Sequence, residues 1–332
     1  MRAYIIRRLL LMIPTVLGVT IITFFLVRFM PGDIIDAILA TSPDDFALDR
    51  AALERSYGLD ASLIVQYGRW MGFIPNADGK LSGILQGDLG VSWWHRIPVA
   101  ELIRGKWPVT IELGVLAILI AQLIALPIGI LSAVRQDTWG DYLGRTFAIM
   151  GISIPGFWLG TMVIVLPAIW WGYMPPLMLI RLSDDVIGNL KMFLAPAAVL
   201  GLALMGVTTR MSRTMMLEVL RQDYIRTAWA KGLRERVVVA RHALKNAFIP
   251  IITVVGLQLP LLIGGTVIIE QIFNLPGMGR LIVTGTFQRD QPVVFGTMLF
   301  FAFSLMLINL LIDIAYAFLD PRIHYGSGKE RR

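Results

Sequence analysis

Six stretches of this sequence carry no charged residue and are at least 18 residues long. A helix that crosses the hydrocarbon core of a bilayer needs about 20 consecutive, mainly apolar residues. The hydrophobic fraction of the chain, 56%, also exceeds the roughly 45–50% that is typical of soluble domains. We therefore predict an all-α membrane protein with six transmembrane helices. The charge-free stretches are Leu9–Val27, Leu113–Val134, Thr146–Ile180, Met192–Thr209, Ala247–Ile269 and Gln291–Ile312.

These stretches also divide the chain into segments. We predict an N-terminal transmembrane helix at 1–30, an external segment at 31–108, a five-helix core at 109–319 that contains a cytoplasmic loop at 211–247, and a cytoplasmic tail at 320–332. Within the core, the helices are expected near 110–134, 147–171, 192–211, 248–269 and 292–318.

The external segment is too long to be a simple connection and is expected to be a small helical segment. Ser42-Pro43-Asp44-Asp45 has the residue types of a helix start, and Gly58 is placed to end that helix. A second short helix is expected over Ser62–Phe73. Such a segment can be a lid on the membrane helices or a docking face for an external partner, and both interpretations remain open here.

The distribution of basic residues favours a cytoplasmic N-terminus. With that orientation the cytoplasmic segments 1–8, 135–145, 210–246 and 320–332 hold 18 of the 30 Lys and Arg residues. The short outside loops 172–191 and 270–292 hold two each, as the positive-inside rule requires. We therefore expect a multi-pass membrane protein with both termini in the cytoplasm. The net charge of +7 is attributed to topology and lipid contact, and no nucleic-acid partner is expected.

Residues that would carry catalysis are scarce. The sequence has no cysteine and three scattered histidines, and it lacks zinc-protease, serine-hydrolase and phosphate-binding P-loop motifs. A membrane enzyme or scaffold is therefore poorly supported, and no cofactor or metal is expected in this chain. Any ATP hydrolysis would have to occur in another subunit.

Polar residues inside the predicted spans are candidates for a solute path. Asn309 and Asp313 share a face of span six, and Asp313 can also snorkel to the cytoplasmic interface. Gln258 can line a path or form a hydrogen bond between helices. Glu112 and Glu270 lie at the outer ends of spans two and five, where we expect an interfacial position.

A charged segment between spans four and five predicts a short helix outside the bilayer. Asp223 is a candidate N-cap, Lys231 falls in the last turn, and Gly232 is placed as the C′ residue. Such a helix, about two turns long, is suited to docking a soluble partner.

The segment Asp223–Pro250 resembles the cytoplasmic EAA loop of ABC importer permeases. Its amino-acid sequence is similar to that of the dipeptide, oligopeptide and nickel branch. Further motifs of that branch occur in the expected order over nearly the whole chain. They are Pro31-Gly32-Asp33, Gly87–Ser92, Pro98-Val99, Thr110–Gly114, Asn274–Arg280 and Asp320-Pro321-Arg322. The long external segment resembles the B-type half of the permease heterodimer.

The resemblance implies a type I importer permease fold, a location in a bacterial inner membrane, and alternating access. It implies four kinds of partner: a C-type permease, one or two cytoplasmic ATPases that bind ATP and Mg, an extracytoplasmic solute-binding protein and the lipid membrane. It places ATPase docking on Arg226, Thr227, Ala228, Trp229, Ala230, Lys231 and Gly232, with the loop ending at Pro250. Gly232→Val or Ala228→Glu is then expected to abolish transport and leave the chain in the membrane.

The resemblance also implies the solute class. Short peptides are expected first, and nickel, glutathione-like compounds and oligosaccharides occur in the same branch. The alternative from a different class is a self-sufficient channel or ion-coupled carrier, which would transport solute without other subunits.

Overall fold

The computed structural model describes residues 2–29, 32, 34–36, 49–76, 78–176 and 178–319, with side-chain environments from residue 6 to residue 315 within these ranges. The predicted helix start at 42–45 and the predicted tail at 320–332, including the motif at 320–322, lie outside the described residues. Within those residues the long segments are helical, and the only β-type pairing is an isolated bridge between Val91 and Pro98.

The helices are labelled in chain order. They are α1 Arg2–Phe29, α2 Arg50–Ser56, α3 Leu63–Met71, α4 Val99–Val134, α5 Trp139–Ser153, α6 Gly156–Trp171, α7 Val186–Leu220, α8 Asp223–Ala230, α9 Leu244–Ile272, α10 Met278–Phe287 and α11 Gln291–Leu319. A helical turn at Glu235–Val237 and a π-helical segment at Val238–Ala243 precede α9 without a break.

Five membrane-length apolar segments are single helices in the described chain. They lie at Ile6–Phe29, Val99–Val134, Val186–Leu220, Glu235–Ile272 and Gln291–Ala315. The sixth segment is the pair α5 and α6. With that pair counted as one span, the six predicted membrane segments are present.

The span expected near 147–171 is not one straight helix. Helices α5 and α6 meet at an angle of 96°. Ile154 is extended, with φ −80° and ψ 122°, because the residue before a proline is disfavoured in the helical conformation. Pro155 therefore ends α5, and α6 restarts at Gly156.

The external segment contains the second helix expected from the sequence. Helix α3 begins after Ser62 and ends at Gly72, which has a left-handed conformation. Helix α2 begins after Asp49, whose carboxylate accepts a hydrogen bond from the Ala51 N–H group, and its end is followed by Gly58 at φ +67°.

By contacts the chain forms two units, and the first comprises Met1–Pro108 and Arg280–Met306. Its core is aromatic. Phe24 of α1 is 1% exposed, and its ring centroid lies 5.3 Å from that of Tyr67. Trp70 of α3 lies 4.7 Å from Phe295 of α11. These rings fasten the helical external segment to two membrane helices.

A buried carboxylate organises a second part of this unit. Asp290 is fully buried and accepts hydrogen bonds from the Ser92 hydroxyl at 2.5 Å and from the Trp93 and Trp94 N–H groups at 3.1 and 3.3 Å. Backbone and hydroxyl donors thus satisfy an acid that would otherwise be costly to bury. The turn at residues 92–94 is thereby fixed to the segment before α11.

The second unit comprises Val109–Gly279 and the chain from Leu307 onward. Leu113, Ala117, Ala121 and Ala125 recur every four residues of α4 and are fully buried in a core with Phe193 of α7. Residues four apart lie on one face of a helix. Small side chains on that face allow membrane helices to approach closely.

Two glycines mark close approaches between helix backbones in this unit. A Cβ atom on Gly201 would lie 2.6 Å from the Ala117 carbonyl oxygen, and one on Gly151 would lie 2.8 Å from the Leu202 carbonyl oxygen. These glycines therefore serve helix packing, whereas the kink of span three is located at Pro155.

Candidate functional site

The charged segment between spans four and five folds into the predicted short helix. Helix α8 covers Asp223–Ala230, and Gly232 follows it at φ +76°. The Gly232 N–H group donates to the Trp229 carbonyl at 2.9 Å, and the Leu233 N–H group donates to the Ala228 carbonyl at 3.4 Å. This pair of bonds is the Schellman arrangement, which requires a left-handed residue at the C′ position. The predicted role of Gly232 as C′ residue is confirmed.

The predicted N-cap is wrong by one residue. Gln222 occupies the N-cap position, and Asp223 is the first helical residue. The Asp223 carboxylate lies 3.6 Å from the Arg226 guanidinium group instead of capping the backbone. A negative charge in the first turn still interacts favourably with the helix dipole.

Helix α8 is anchored to its own chain along one face. Ile225 is fully buried and Ala228 is 7% exposed, in a cluster with Val238, Ala243 and Ala247. Residues three apart lie on the same face of a helix. The π-helical segment and the start of α9 therefore form the seat on which α8 rests.

The opposite face of α8 is exposed. Six of the seven predicted docking residues are exposed in this chain, namely Arg226, Thr227, Trp229, Ala230, Lys231 and Gly232. Trp229 is 43% exposed and Tyr224 is 44% exposed. Large aromatic groups exposed outside a membrane span are typical of a protein-binding surface.

Ala228 does not belong to that surface, which corrects the prediction for this residue. Because its side chain is buried against its own chain, Ala228→Glu would place a carboxylate in the apolar seat and damage the loop itself. That substitution therefore does not test docking.

Pro250 does not end the loop. It lies inside α9, which begins at Leu244, and helical structure resumes already at Glu235. On the other side α7 continues to Leu220. Arg, Lys, Glu and Met are good helix formers, so the charged ends of the spans remain helical outside the apolar core. The non-helical part of the predicted 211–247 loop is accordingly short.

The predicted path residues have different environments. Gln258 is 3% exposed; its side-chain amide donates to the Leu204 carbonyl at 3.2 Å and to Thr208 Oγ1 at 3.0 Å. It therefore connects α9 to α7, which favours the helix-bonding interpretation over path lining. Asn309 is exposed and Asp313 is half-buried on α11. Their place in a solute path stays a prediction.

Glu270, for which an interfacial position is expected, lies inside the protein near the C-terminal end of α9. Glu270 is fully buried, and the Thr110 hydroxyl donates to its carboxylate at 2.7 Å. The same hydroxyl accepts a bond from the Met278 N–H group at 2.8 Å. A Cβ atom on Gly277 would overlap the carboxylate. The loop at 274–279 thus closes over the C-terminal end of α9, and its two glycines were the sequence signal for this contact.

The buried acid Asp141 was also missed by sequence reasoning. Asp141 of α5 is fully buried and receives two bonds from Arg213 of α7, Nε and a terminal nitrogen each lying 2.7 Å from a carboxylate oxygen. The Asp137 N–H group donates to it at 3.1 Å, and Arg145 Nε lies 3.5 Å away. This two-point geometry is the strongest form of an arginine–carboxylate pair. It joins α5 to the part of α7 that leads to α8.

Among the described residues no three His, Asp or Glu side chains come together as a group that could hold a metal ion.

Family models match most of the chain. Residues 125–325 match the model described as "Binding-protein-dependent transport system inner membrane component". Residues 1–114 match the model described as "Binding-prot-dependent transport system membrane comp, N-term". The two matches together take in α8, the anchored turn at residues 92–94 and the Glu270 cluster.

Individual relatives match over their full length. The oligopeptide transport system permease protein AppB of Bacillus subtilis is 40% identical over 329 residues, covering 98% of this chain and 100% of the relative. The glutathione transport system permease protein GsiC of Salmonella paratyphi A is 37% identical over 322 residues, covering 97% and 99%. Among solved structures, an inward-facing methionine ABC transporter, MetNI, aligns with a TM-score of 0.51 at 16% identity, covering 67% of this chain and 97% of that one. This last likeness concerns the fold.

Proposed function

The chain belongs to the family of binding-protein-dependent transport system inner membrane components, and on that premise we propose that it is the B-type half of a heterodimeric importer of short peptides. As a family member it is an integral permease of the ABC importers of the bacterial inner membrane. The peptide substrate is supported by the 40% identity to an oligopeptide permease. Because a glutathione permease is 37% identical to this chain, small peptide-like thiols also belong to the proposed substrate class.

The proposed division of labour assigns ATP and Mg to cytoplasmic partner subunits and solute recognition to an extracytoplasmic binding protein. This chain and a C-type permease would together enclose the path. The role of this chain is mechanical: when the ATPases move, it changes the side of the membrane to which the path opens.

The exposed face of α8 is the observation that carries this proposal. A partner that binds Arg226, Thr227 and Lys231 would displace α8, whose other face is buried against its own chain. Because Ile225 and Ala228 are seated on the π-helical segment and α9, a displacement of α8 is passed to the membrane helix that follows. The hydrogen bond from the Asn246 amide to the Tyr224 hydroxyl, 2.9 Å, adds a polar link between the same elements.

The proposed division of the connecting segments between the two sides of the membrane is supported by which segments touch. Ser92 and Asp290 belong to the two segments expected outside, and they share a hydrogen bond. Asp141 and Arg213 belong to two segments expected inside, and they form an ion pair. Each contact joins regions that the charge distribution assigns to the same side.

Purification of the tagged chain from its host membrane in mild detergent tests the assembly. Mass spectrometry is expected to identify a second six-span permease and one or two ATPases. Recovery of this chain alone, combined with solute transport by the chain alone in liposomes, would instead establish the channel or carrier alternative. The solute-binding protein of the same system should bind di- and oligopeptides in calorimetry; binding of nickel, oligosaccharides or glutathione in their place would reassign the substrate.

We expect Gly232→Val to reduce uptake at least tenfold while the chain stays in the membrane. A valine side chain at φ +76° carries a steric penalty of about 1–2 kcal/mol, so the backbone reversal after α8 is lost. No heavy atom lies within 4 Å of a Cβ atom at this position, so the effect is local. Uptake, membrane content and ATPase co-purification are the three measurements.

Gly172→Val is the matched control. Gly172 also has a positive φ, +63°, and open space around a Cβ atom, but it follows α6 on the proposed outer side. It should retain ATPase co-purification. Equal losses in both variants would show that backbone strain, rather than docking, explains the defect at Gly232.

A further inference from the structure

A cavity of about 110 Å³ opens between the end of α4, the middle of α5 and the second half of α7. Its polar lining consists of Ser132, Arg145, Thr209, Arg210, Arg213 and Thr214. A space that holds one water molecule measures about 10–15 Å³ on the same scale. The cavity therefore has room for a group of several heavy atoms.

The charge of this cavity is positive. Three arginine residues line it, namely Arg145, Arg210 and Arg213. In the described part of the chain two acids oppose them: Asp141, which pairs with Arg213 and lies 3.5 Å from Arg145, and Asp137, whose charge also acts on Arg213. Arg210 makes no ion pair within the described part of the chain. Positive charge thus exceeds negative charge beside a low-dielectric membrane core, where an anion would be attracted strongly.

The lining also contains a buried hydroxyl that lacks a partner. Thr209 is 2% exposed, and its Oγ1 atom has no hydrogen-bond partner among the described residues. A buried polar group without a partner is costly, and such groups commonly indicate a missing ligand or water. A ligand rich in acceptor oxygens would satisfy this hydroxyl and the guanidinium groups together.

We propose that this cavity binds the phosphate group of an anionic phospholipid from the cytoplasmic leaflet. Arginine presents several donors in a planar fork that matches phosphate oxygens. The remaining lining is apolar and includes Ile149 and Ile152, which are 61% and 42% exposed and can contact an acyl chain. Basic pockets between membrane helices on the cytoplasmic side are suited to lipid headgroups.

The site has a mechanical implication, because its walls are α5 and α7, which the Asp141–Arg213 pair already connects. A bound headgroup adds a second connection between these helices just before α8. Lipid composition would therefore influence α7, the helix that leads to α8.

Native mass spectrometry of the full-length chain, purified with its accompanying subunits, tests the proposal. The complex is titrated with phosphatidylglycerol and, separately, with phosphatidylcholine of the same acyl chains. We expect the unmodified chain to bind phosphatidylglycerol more tightly than phosphatidylcholine. The affinity for phosphatidylglycerol should fall about tenfold in Arg210→Gln and several-fold in Thr209→Val, since each variant removes hydrogen-bond donors. Arg210 is exposed and Thr209→Val preserves shape, so both variants should fold.

Arg241→Gln is the matched control, because Arg241 is an exposed arginine of the π-helical segment that does not line the cavity. Equal affinity for the two lipids, or the same loss in all three variants, would overturn the proposal. A parallel titration with inorganic phosphate separates the two sources of the anion. Displacement of the lipid by millimolar phosphate would reassign the cavity to free phosphate.

Discussion

Replacing Asp141 with alanine should lower the unfolding temperature of the purified complex on the order of 10 °C. The change leaves the Arg213 guanidinium group, 18% exposed, without the carboxylate that now binds it at two points. Breaking a buried pair in this way typically costs about 3–5 kcal/mol, because an uncompensated charge stays buried. A shift of that size follows from about 2–4 °C per kcal/mol in a protein unit of this length. Thermal unfolding in detergent, followed by intrinsic fluorescence, is the measurement.

The double variant Asp141→Ala with Arg213→Met separates the charge effect from lost packing. Removing both charges should recover a large part of the stability, since apolar replacements of a buried pair are often neutral. Asp60→Ala, at an exposed acid of the external segment, should leave the transition unchanged. A double variant as unstable as the single one would contradict the assignment of the effect to the unpaired arginine.

Gly279→Ala should destabilise the chain by roughly 1–3 kcal/mol, the usual range for overpacking. A Cβ atom at this position would overlap the Cα atom of Val267 in α9 and would lie 3.0 Å from the Glu270 carboxylate. Backbone in the middle of a helix cannot move aside as a side-chain end can. The start of α10 would therefore be displaced from α9, and the same thermal measurement should detect it.

Gly264→Ala provides the control with the opposite sign. Gly264 lies in α9, and no heavy atom comes within 4 Å of a Cβ atom there. Alanine is preferred over glycine inside a helix by about 1 kcal/mol, so this variant should be neutral or stabilising. A destabilisation equal to that of Gly279→Ala would mean that close contact with Val267 is not the cause.

Features that depend on neighbours in sequence were predicted well. Charge-free stretches located the spans, and the position of Gly232 predicted the end of α8, because both depend on local composition and backbone conformation. The one-residue error at Asp223 reflects the fact that several residue types can precede a helix. The burial of Ala228 could have been inferred from its spacing of three from Ile225, which places both on one face of α8.

Features that depend on distant partners were not predicted. Glu270 is buried because Thr110, far earlier in the chain, donates a hydrogen bond to it. Asp141 is buried because Arg213 of another helix binds it. Neither partner is recognisable from spacing or from hydropathy. Pro155 can allow a kink, but the size of the bend at this residue could not be predicted, since a hydropathy profile records how apolar a segment is and not where it points.

The bend between α5 and α6 leaves backbone polar groups that need hydrogen-bond partners from outside these helices. The last carbonyl groups of one helix and the first N–H groups of the next have no partners inside their own helices. In pure hydrocarbon each such group would cost several kcal/mol. Ile154 and Pro155 must therefore lie where water, lipid headgroups or a neighbouring subunit can supply hydrogen bonds. The depth of this corner in the bilayer is limited by the solvation of its backbone, although the flanking side chains are almost entirely apolar.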